Sequence, residues 1–223
     1  MKYICKAEEP EKFKTWKNLE NEDWKPSWKN FQAPEKTLVH EALLQEQGYI
    51  CCYCGRSISK QSSHIEHLKP RTSYPEEALS YTNLLASCQV EKSETDPIPV
   101  PVHCGHKKGD WYDENLMVSP LERSCFEFFR YSGSGEILPS KEEDKESSAT
   151  ATISRLGLNI DKLKAMRRGV IDGILQNIEE LTDIEIQNLV RHYSSPNVDG
   201  QYTQGCAVIV YILNQYLIGS TAL

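Results

Sequence analysis

The clearest periodic pattern lies in the C-terminal third. Ile160, Leu163, Met166, Val170, Ile171, Ile174, Leu175 and Ile178 recur at intervals of three and four residues, which places them on one face of a helix starting near Asn159. Further helices are predicted over residues 182–193 and 206–218. Nearer the N-terminus, Leu38, Ala42 and Leu43 form a shorter stripe on a helix that opens at Pro34 as its first helical residue and is stopped by Gly48. Ahead of it the chain reads as a short strand at Lys2 to Cys5 and a tryptophan-rich linker. Residues 51–109 show little helical period and many turn formers. After Pro120 a hairpin is predicted, Phe126 to Tyr131 and Glu136 to Leu138, around Ser132-Gly133-Ser134-Gly135. Residues 140–148 have almost no apolar content and read as a solvated loop or linker. The pattern defines an α+β chain in three regions: residues 1–47 packing on a core, a core with its hairpin at 48–139, and an all-helical region at 149–223.

Composition adds limits. With 39% hydrophobic and 26% charged residues in 223, the chain is globular material, which excludes disorder and collagen-like repeats. The longest apolar stretch, Cys206 to Gly219, is interrupted by Asn214 and Gln215 and falls short of the roughly 20 residues a membrane span needs. No apolar run with a small-residue cleavage site opens the chain, so a cytoplasmic location with no membrane partner is expected. A net charge of −7 argues against coating nucleic acid by charge alone. Residues 51–109 differ, with seven basic against six acidic side chains.

That window also holds five of the eight cysteines (Cys51, Cys52, Cys54, Cys88, Cys104) and four of the six histidines (His64, His67, His103, His106). In a reducing compartment such clustering points to metal rather than to disulfides. Cys51 and Cys54 form a Cys-x-x-Cys knuckle, whose spacing lets two thiolates face one ion from a tight turn. Cys88 and Cys104 supply the second pair across a 15-residue insertion with three prolines, so Zn²⁺ on four cysteines is expected. Cys52 is the spare. Buried structural cysteines or a redox dithiol are the competing readings. His192 reads as a surface or packing residue.

Nine residues after the knuckle comes His64-Ile65-Glu66-His67-Leu68-Lys69-Pro70, alternating as a short strand would, then Asn83-Leu84-Leu85, Cys88, and Cys104-Gly105-His106-Lys107-Lys108-Gly109. In this order the chain resembles the HNH endonuclease family. The segments Cys-Cys-Tyr-Cys-Gly, His-Ile-Glu-His-Leu-Lys-Pro, Tyr-Thr-Asn-Leu-Leu-Ala-Ser-Cys-Gln, His-Cys-Gly-His-Lys-Lys-Gly-Asp-Trp and Ser-Pro-Leu-Glu-Arg-Ser-Cys-Phe-Glu-Phe-Phe look like its bacterial PtuB branch. The resemblance implies a zinc-stapled ββα-metal core and a role in anti-phage defence in Septu systems or retrons. It also implies a PtuA-like ABC-type ATPase partner, with a retron reverse transcriptase and its DNA as further partners. One departure stands out. Family members place His or Asn directly after the last cysteine, and here that residue is Gly105.

Phosphodiester hydrolysis needs an activated water, neutralisation of charge on the phosphate and stabilisation of the leaving oxygen. His67 suits the general base and Glu66 a ligand for Mg²⁺ or another divalent ion. Asn83 can bridge the following loop from its amide to backbone near His67. His106 or His103 completes the metal site, with His106 favoured. His64 is a further metal or phosphate contact, or a hydrogen-bonded strand histidine. Lys69, Arg71, Lys107 and Lys108 are available to phosphates. The substrate is expected to be DNA, with RNA such as tRNA as the alternative. Two rival readings are a non-catalytic zinc module that scaffolds a partner complex, and a redox sensor using an exposed Cys52. The helices after residue 149 either dock a partner or pack on each other and on the core.

Overall fold

The computed structural model describes residues 1–89, 101–176 and 178–220, the last three of these as backbone only. A short helix α1 (Glu11–Lys17) precedes α2 (Glu35–Glu46). With Phe13 as its only fully buried residue, α1 carries too few apolar positions to show a period in the sequence. Phe13, Trp16, Trp24, Trp28 and Phe31 form a continuous aromatic cluster, with neighbouring ring centroids 4.7 to 5.9 Å apart. The predicted strand at Lys2 to Cys5 is absent. Ile4 is buried and donates its N–H to Pro120 O at 2.8 Å, but among the described residues no strand pairs with this segment to form a ladder.

Pro34 precedes α2 as its cap instead of occupying its first turn, and Val39, Leu43 and Leu44 face the core. Just past its end, buried Gln47 donates to Ile50 O at 2.9 Å and Ala86 O at 2.8 Å, and accepts from Ala86 N at 2.7 Å. Those bonds fasten α2 to a pair of antiparallel strands, β1 (Ser63–His67) and β2 (Leu84–Cys88). Glu66 stands opposite Leu85 and His67 opposite Leu84, and β2 is buried along its whole length. A five-residue helix α3 (Cys104–Lys108) packs against β2. Residues 90–100, most of the insertion between Cys88 and Cys104 and including Lys92, lie outside the described residues.

The hairpin forms as β3 (Phe129–Tyr131) and β4 (Ile137–Pro139), shorter than predicted because residues 125–128 make a 3₁₀ turn. The linker expected at 140–148 is mostly helix, for α4 runs from Glu143 to Leu156. Its first turn carries Glu143, Asp144 and Glu146, placed where the helix dipole favours negative charge. Its buried positions, Ser148, Ala149, Thr152 and Leu156, are small or late in the helix, so composition hides the period. α4 packs on both α3 and β4.

α5 (Asp161–Leu175), α6 (Asp183–Ser194) and α7 (Cys206–Ser220) follow, with Ile178 in a separate 3₁₀ turn beyond α5. Thr182 starts α6 with a capping box to Glu185. The apolar stripe of α5 is covered within the chain: Ile171 meets Val208 and Ile212 of α7, while Val170 and Ile174 join Ile178, Ile186, Ile209 and Leu213. Between α6 and α7, residues 202–205 cross back to the knuckle. Tyr202 N donates to Gly48 O and Gly205 N to Gly55 O, both at 2.9 Å, and Gln204 Oε1 accepts from Ser57 N at 3.1 Å. No helix among the described residues is long and apolar enough to cross a membrane.

The hairpin is held to α5 by a buried charge. Arg167, 2% exposed, donates to Gly135 O at 2.6 Å, Leu158 O at 2.7 Å and Asn159 Oδ1 at 3.1 Å. Arg167→Met leaves these acceptors short of a donor in a dry site and should destabilise the protein by about 2–4 kcal/mol. For a chain of this size that is a fall of roughly 5–15 °C in the thermal midpoint, read by circular dichroism.

Candidate metal centre and histidine–glutamate site

The knuckle turn, the end of β2 and the start of α3 bring four sulfurs together. The Sγ atoms of Cys51, Cys54, Cys88 and Cys104 all lie within 4.8 Å of one another in buried surroundings, and Cys54 and Cys88 are 3.9 Å apart. Tetrahedral zinc with Zn–S bonds of about 2.3 Å needs sulfurs about 3.8 Å apart, so the donor set could hold zinc. Burial pushes the Cys51 thiol up, but hydrogen bonds from the thiols of Cys104, Cys52, Cys54 and Cys88 outweigh it and bring it well below its ordinary value. Burial raises Cys104 well above its own, reinforced by Cys51, Cys54 and Cys88. Four buried sulfurs at this spacing form a donor set that a dication would bind as thiolates, releasing their protons. Cys88 N also donates to Cys51 Sγ at 3.3 Å. His103 Nδ1 lies 3.2 Å from Cys104 Sγ and 3.6 Å from Cys88 Sγ.

Cys52 lies outside the four-sulfur group but beside Cys51, at 3% exposure, and burial raises its thiol well above the ordinary value. The exposed redox thiol weighed from the sequence is therefore not there.

The C-terminal half of β1 carries the second group. His67 Nε2 is 3.0 Å from Ala78 O, a bond that needs the proton on Nε2 and leaves the Nδ1 lone pair free. Burial draws its pKa down to about 4, against the opposing pull of the Ala78 carbonyl, so the ring is neutral near pH 7. Trp28 lies against it, ring centroids 4.3 Å apart and 76° between planes. Asn83 sits where β2 begins: its Oδ1 accepts from Lys69 N at 2.7 Å, and its Nδ2 donates to Lys69 O at 3.0 Å and Glu77 O at 3.1 Å. The amide thus clamps the loop leaving His67.

Glu66 points to the other face of β1 and is 7% exposed. Lys108 Nζ at 3.0 Å and the Tyr53 hydroxyl at 3.2 Å serve Oε1, and His64 Nε2 lies 3.4 Å from Oε2. Burial opposes its charge, but the hydrogen bond from His64 and the Lys108 ammonium hold it below the usual carboxylate range. Lys108, expected at a phosphate, is instead buried at 4% exposure, its ammonium also bonded to His67 O at 2.8 Å. It braces the two strand residues from beneath. Lys69 keeps a partly exposed side chain over Tyr74 and Tyr112.

His106 stacks edgewise on His64, centroids 4.3 Å apart, and is exposed. Between them and Glu66 sits Gly105, whose amide donates to Ser87 Oγ at 3.1 Å. A Cβ there would lie 2.8 Å from His64 Nε2 and would collide with Glu66 Oε2, so the departure from the family pattern clears room over the carboxylate. His103 lies at the sulfurs and His106 beside His64, which separates the two histidines that the sequence offers for the metal site. His64, Glu66 and His106 are set less tightly than the cysteines, which among the described residues are the only such group within 4.8 Å. Sequence reasoning missed Tyr53 and Trp28. Tyr53 lies inside the knuckle motif, where it could have been found, whereas Trp28 reaches His67 only through the fold.

A carboxylate held below its usual range and a neutral histidine on adjacent strand residues, beside a cluster fit for zinc, supply groups that could hold a metal ion and accept a proton. No family model matches the chain. A protein of Vibrio cholerae serotype O1 biovar El Tor, named as a candidate HNH endonuclease of retron Vc95, is 31% identical over 151 residues, 66% of this chain and 69% of that protein. The chain belongs to the HNH endonuclease family.

Proposed function

We propose that the chain hydrolyses phosphodiester bonds of nucleic acid, DNA in the first place, with His67 as general base. The observation that supports this reading best is the fixed tautomer of His67: Nε2 is committed to Ala78 O, so Nδ1 is free to take a proton from water. Glu66 Oε2, with His64 and His106 beside it, would hold a divalent ion. That ion, Mg²⁺ or another, would supply charge neutralisation at the scissile phosphate and the leaving oxygen. Two imidazoles beside one carboxylate suit Mn²⁺ as readily as Mg²⁺. Asn83 and Lys108 position the strand residues, and Lys69 is placed to meet a neighbouring phosphate. Zinc on Cys51, Cys54, Cys88 and Cys104 would be structural, and β1, β2 and α3 would form the ββα-metal core.

The resemblance to PtuB proteins and the retron named for the relative support a wider reading. In it the chain acts in the bacterial cytoplasm in anti-phage defence of the Septu or retron type, with a PtuA-like ABC-type ATPase. A retron reverse transcriptase and its DNA are further partners, and residues 149–223 are the docking region, after the N-terminal region at 1–47 and the nuclease core at 48–139.

The deciding experiment incubates the purified zinc-loaded chain, alone and with a co-expressed ATPase, with plasmid DNA and with total tRNA, in Mg²⁺, Mn²⁺ or neither. Cleavage that needs the added ion and disappears in His67→Ala supports the reading. Zinc-replete protein inactive on every substrate with its ATPase present would leave a scaffold module. Gly105→Ala offers a finer check, since its methyl group must displace Glu66 and His64. Cleavage should fall by about tenfold or more while zinc content stays unchanged.

A further inference from the structure

Basic side chains near His67 are disposed unusually for an acidic protein. Lys36, Lys69 and Arg71 make no ion pair with a carboxylate among the described residues, and each lies over an aromatic ring instead. Two of them share Trp28: Lys36 Nζ is 4.9 Å and Arg71 Cζ 5.0 Å from the indole centroid. That same indole is 4.3 Å from the imidazole of His67 and stays partly exposed, although Phe31 packs on it at 5.4 Å. A second aromatic and cation group begins two residues beyond His67, where Lys69 lies 5.5 Å from the Tyr74 ring and 6.0 Å from that of Tyr112.

An aromatic face flanked by unneutralised cations matches the chemistry of a nucleotide, whose base offers a π-face and whose phosphate takes the charge. Stacking on an aromatic side chain is worth about 1–3 kcal/mol per base, against about 0.5–1 kcal/mol for an exposed cation on a ring. A base can therefore displace Lys36 or Arg71 from the indole, and the freed cation gains a phosphate. A base inside a duplex already has both faces covered by its neighbours, so only an unpaired base can use the platform.

We propose that Trp28 receives an unpaired nucleobase adjoining the phosphate held at His67, with Arg71 and Lys36 on the flanking phosphates, so that the site takes single-stranded segments in preference to duplex. This rests on the nuclease reading only for the place of the phosphate. DNA and RNA present the same stacking chemistry.

The test is binding without turnover, using the full-length, zinc-loaded His67→Ala protein and fluorescence anisotropy. The probes are a labelled single-stranded DNA, the RNA of the same sequence, and the DNA annealed to its complement. At least one single strand should bind about tenfold or more tightly than the duplex, and a preference for either sugar supports the proposal. Adding Trp28→Leu should weaken single-strand binding by about 5- to 150-fold, as about 1–3 kcal/mol of lost stacking implies, with duplex binding unchanged. Trp28→Phe should retain most of the affinity. Should the leucine variant unfold on heating at a lower temperature, Arg71→Ala at an exposed position provides the second reading, with a several-fold loss expected. Equal affinity for single strand and duplex, or single-strand binding indifferent to both Trp28→Leu and Arg71→Ala, overturns the proposal. If the cleavage assay fails while this binding pattern holds, the nuclease reading falls and the platform stands.

Discussion

His67→Ala should lower the cleavage rate by about 10²- to 10⁴-fold, the usual contribution of a general base, while leaving zinc bound and the chain folded. The expected loss is large because no neighbour can substitute. Among the groups around His67, Asn83 has both ends of its amide committed to backbone, Lys108 is a buried cation on Glu66, and Trp28 has no basic nitrogen. The expected retention of fold follows from position: the imidazole packs on Trp28 and Ala78, away from the four cysteines. Rates on plasmid DNA, zinc content and thermal midpoint measured on one preparation check all three claims. Wild-type cleavage in His67→Ala, with cleavage lost in His106→Ala, would mean that the base has been misplaced.

The second large effect is on the metal. Cys104→Ser should release zinc and leave most of the protein insoluble, because a structural zinc contributes about 10–16 kcal/mol of apparent binding free energy in small metal-ordered folds. Cys104 is a sensitive position for a second reason. It adopts a left-handed backbone conformation, φ 54°, at the start of α3, and a residue with a side chain keeps such a conformation only when its surroundings hold it there. α3 is too short to persist alone, yet it carries Gly105, His106 and Lys108 to Glu66. Loss of the metal should therefore abolish cleavage as well as stability. Metal analysis of the soluble fraction is the measurement, and full zinc occupancy without Cys104 would refute a four-cysteine site.

Much of this centre was legible in the sequence because metal ligands and strand alternation are local signals. Cys51 and Cys54 announce a knuckle by spacing, and His64 and Glu66, two residues apart, do share a strand face. What stayed hidden depends on distant chain segments. Lys108 reads as a surface charge by composition, and only the packing of α3 against β2 turns it inward, where its ammonium reaches Glu66 and His67 O. The approach of Trp28 to His67 spans the whole of α2. Residues 140–148 look like a linker because the buried side of α4 is lined by Ser148, Ala149 and Thr152, whose small size suits close packing and gives hydropathy little to detect. Leu163 to Leu175 of the C-terminal stripe do lie on one helix, with Ile160 at its cap and Ile178 in a 3₁₀ turn beyond it, but sequence alone could not tell a free face from one covered by α7.

The crossing of residues 202–205 over the knuckle bears on how the molecule can be divided in the laboratory. The N–H of Ser57 and the carbonyls of Gly48 and Gly55 find their partners on a segment more than 140 residues away in sequence. A fragment ending near Ser148 strips those groups of their partners and opens the loop that bears Cys51 and Cys54. Inactivity of such a fragment would report a damaged metal loop as readily as a missing docking surface. Dissection is better done by point substitution on the outer faces of α6 and α7, with the chain kept whole.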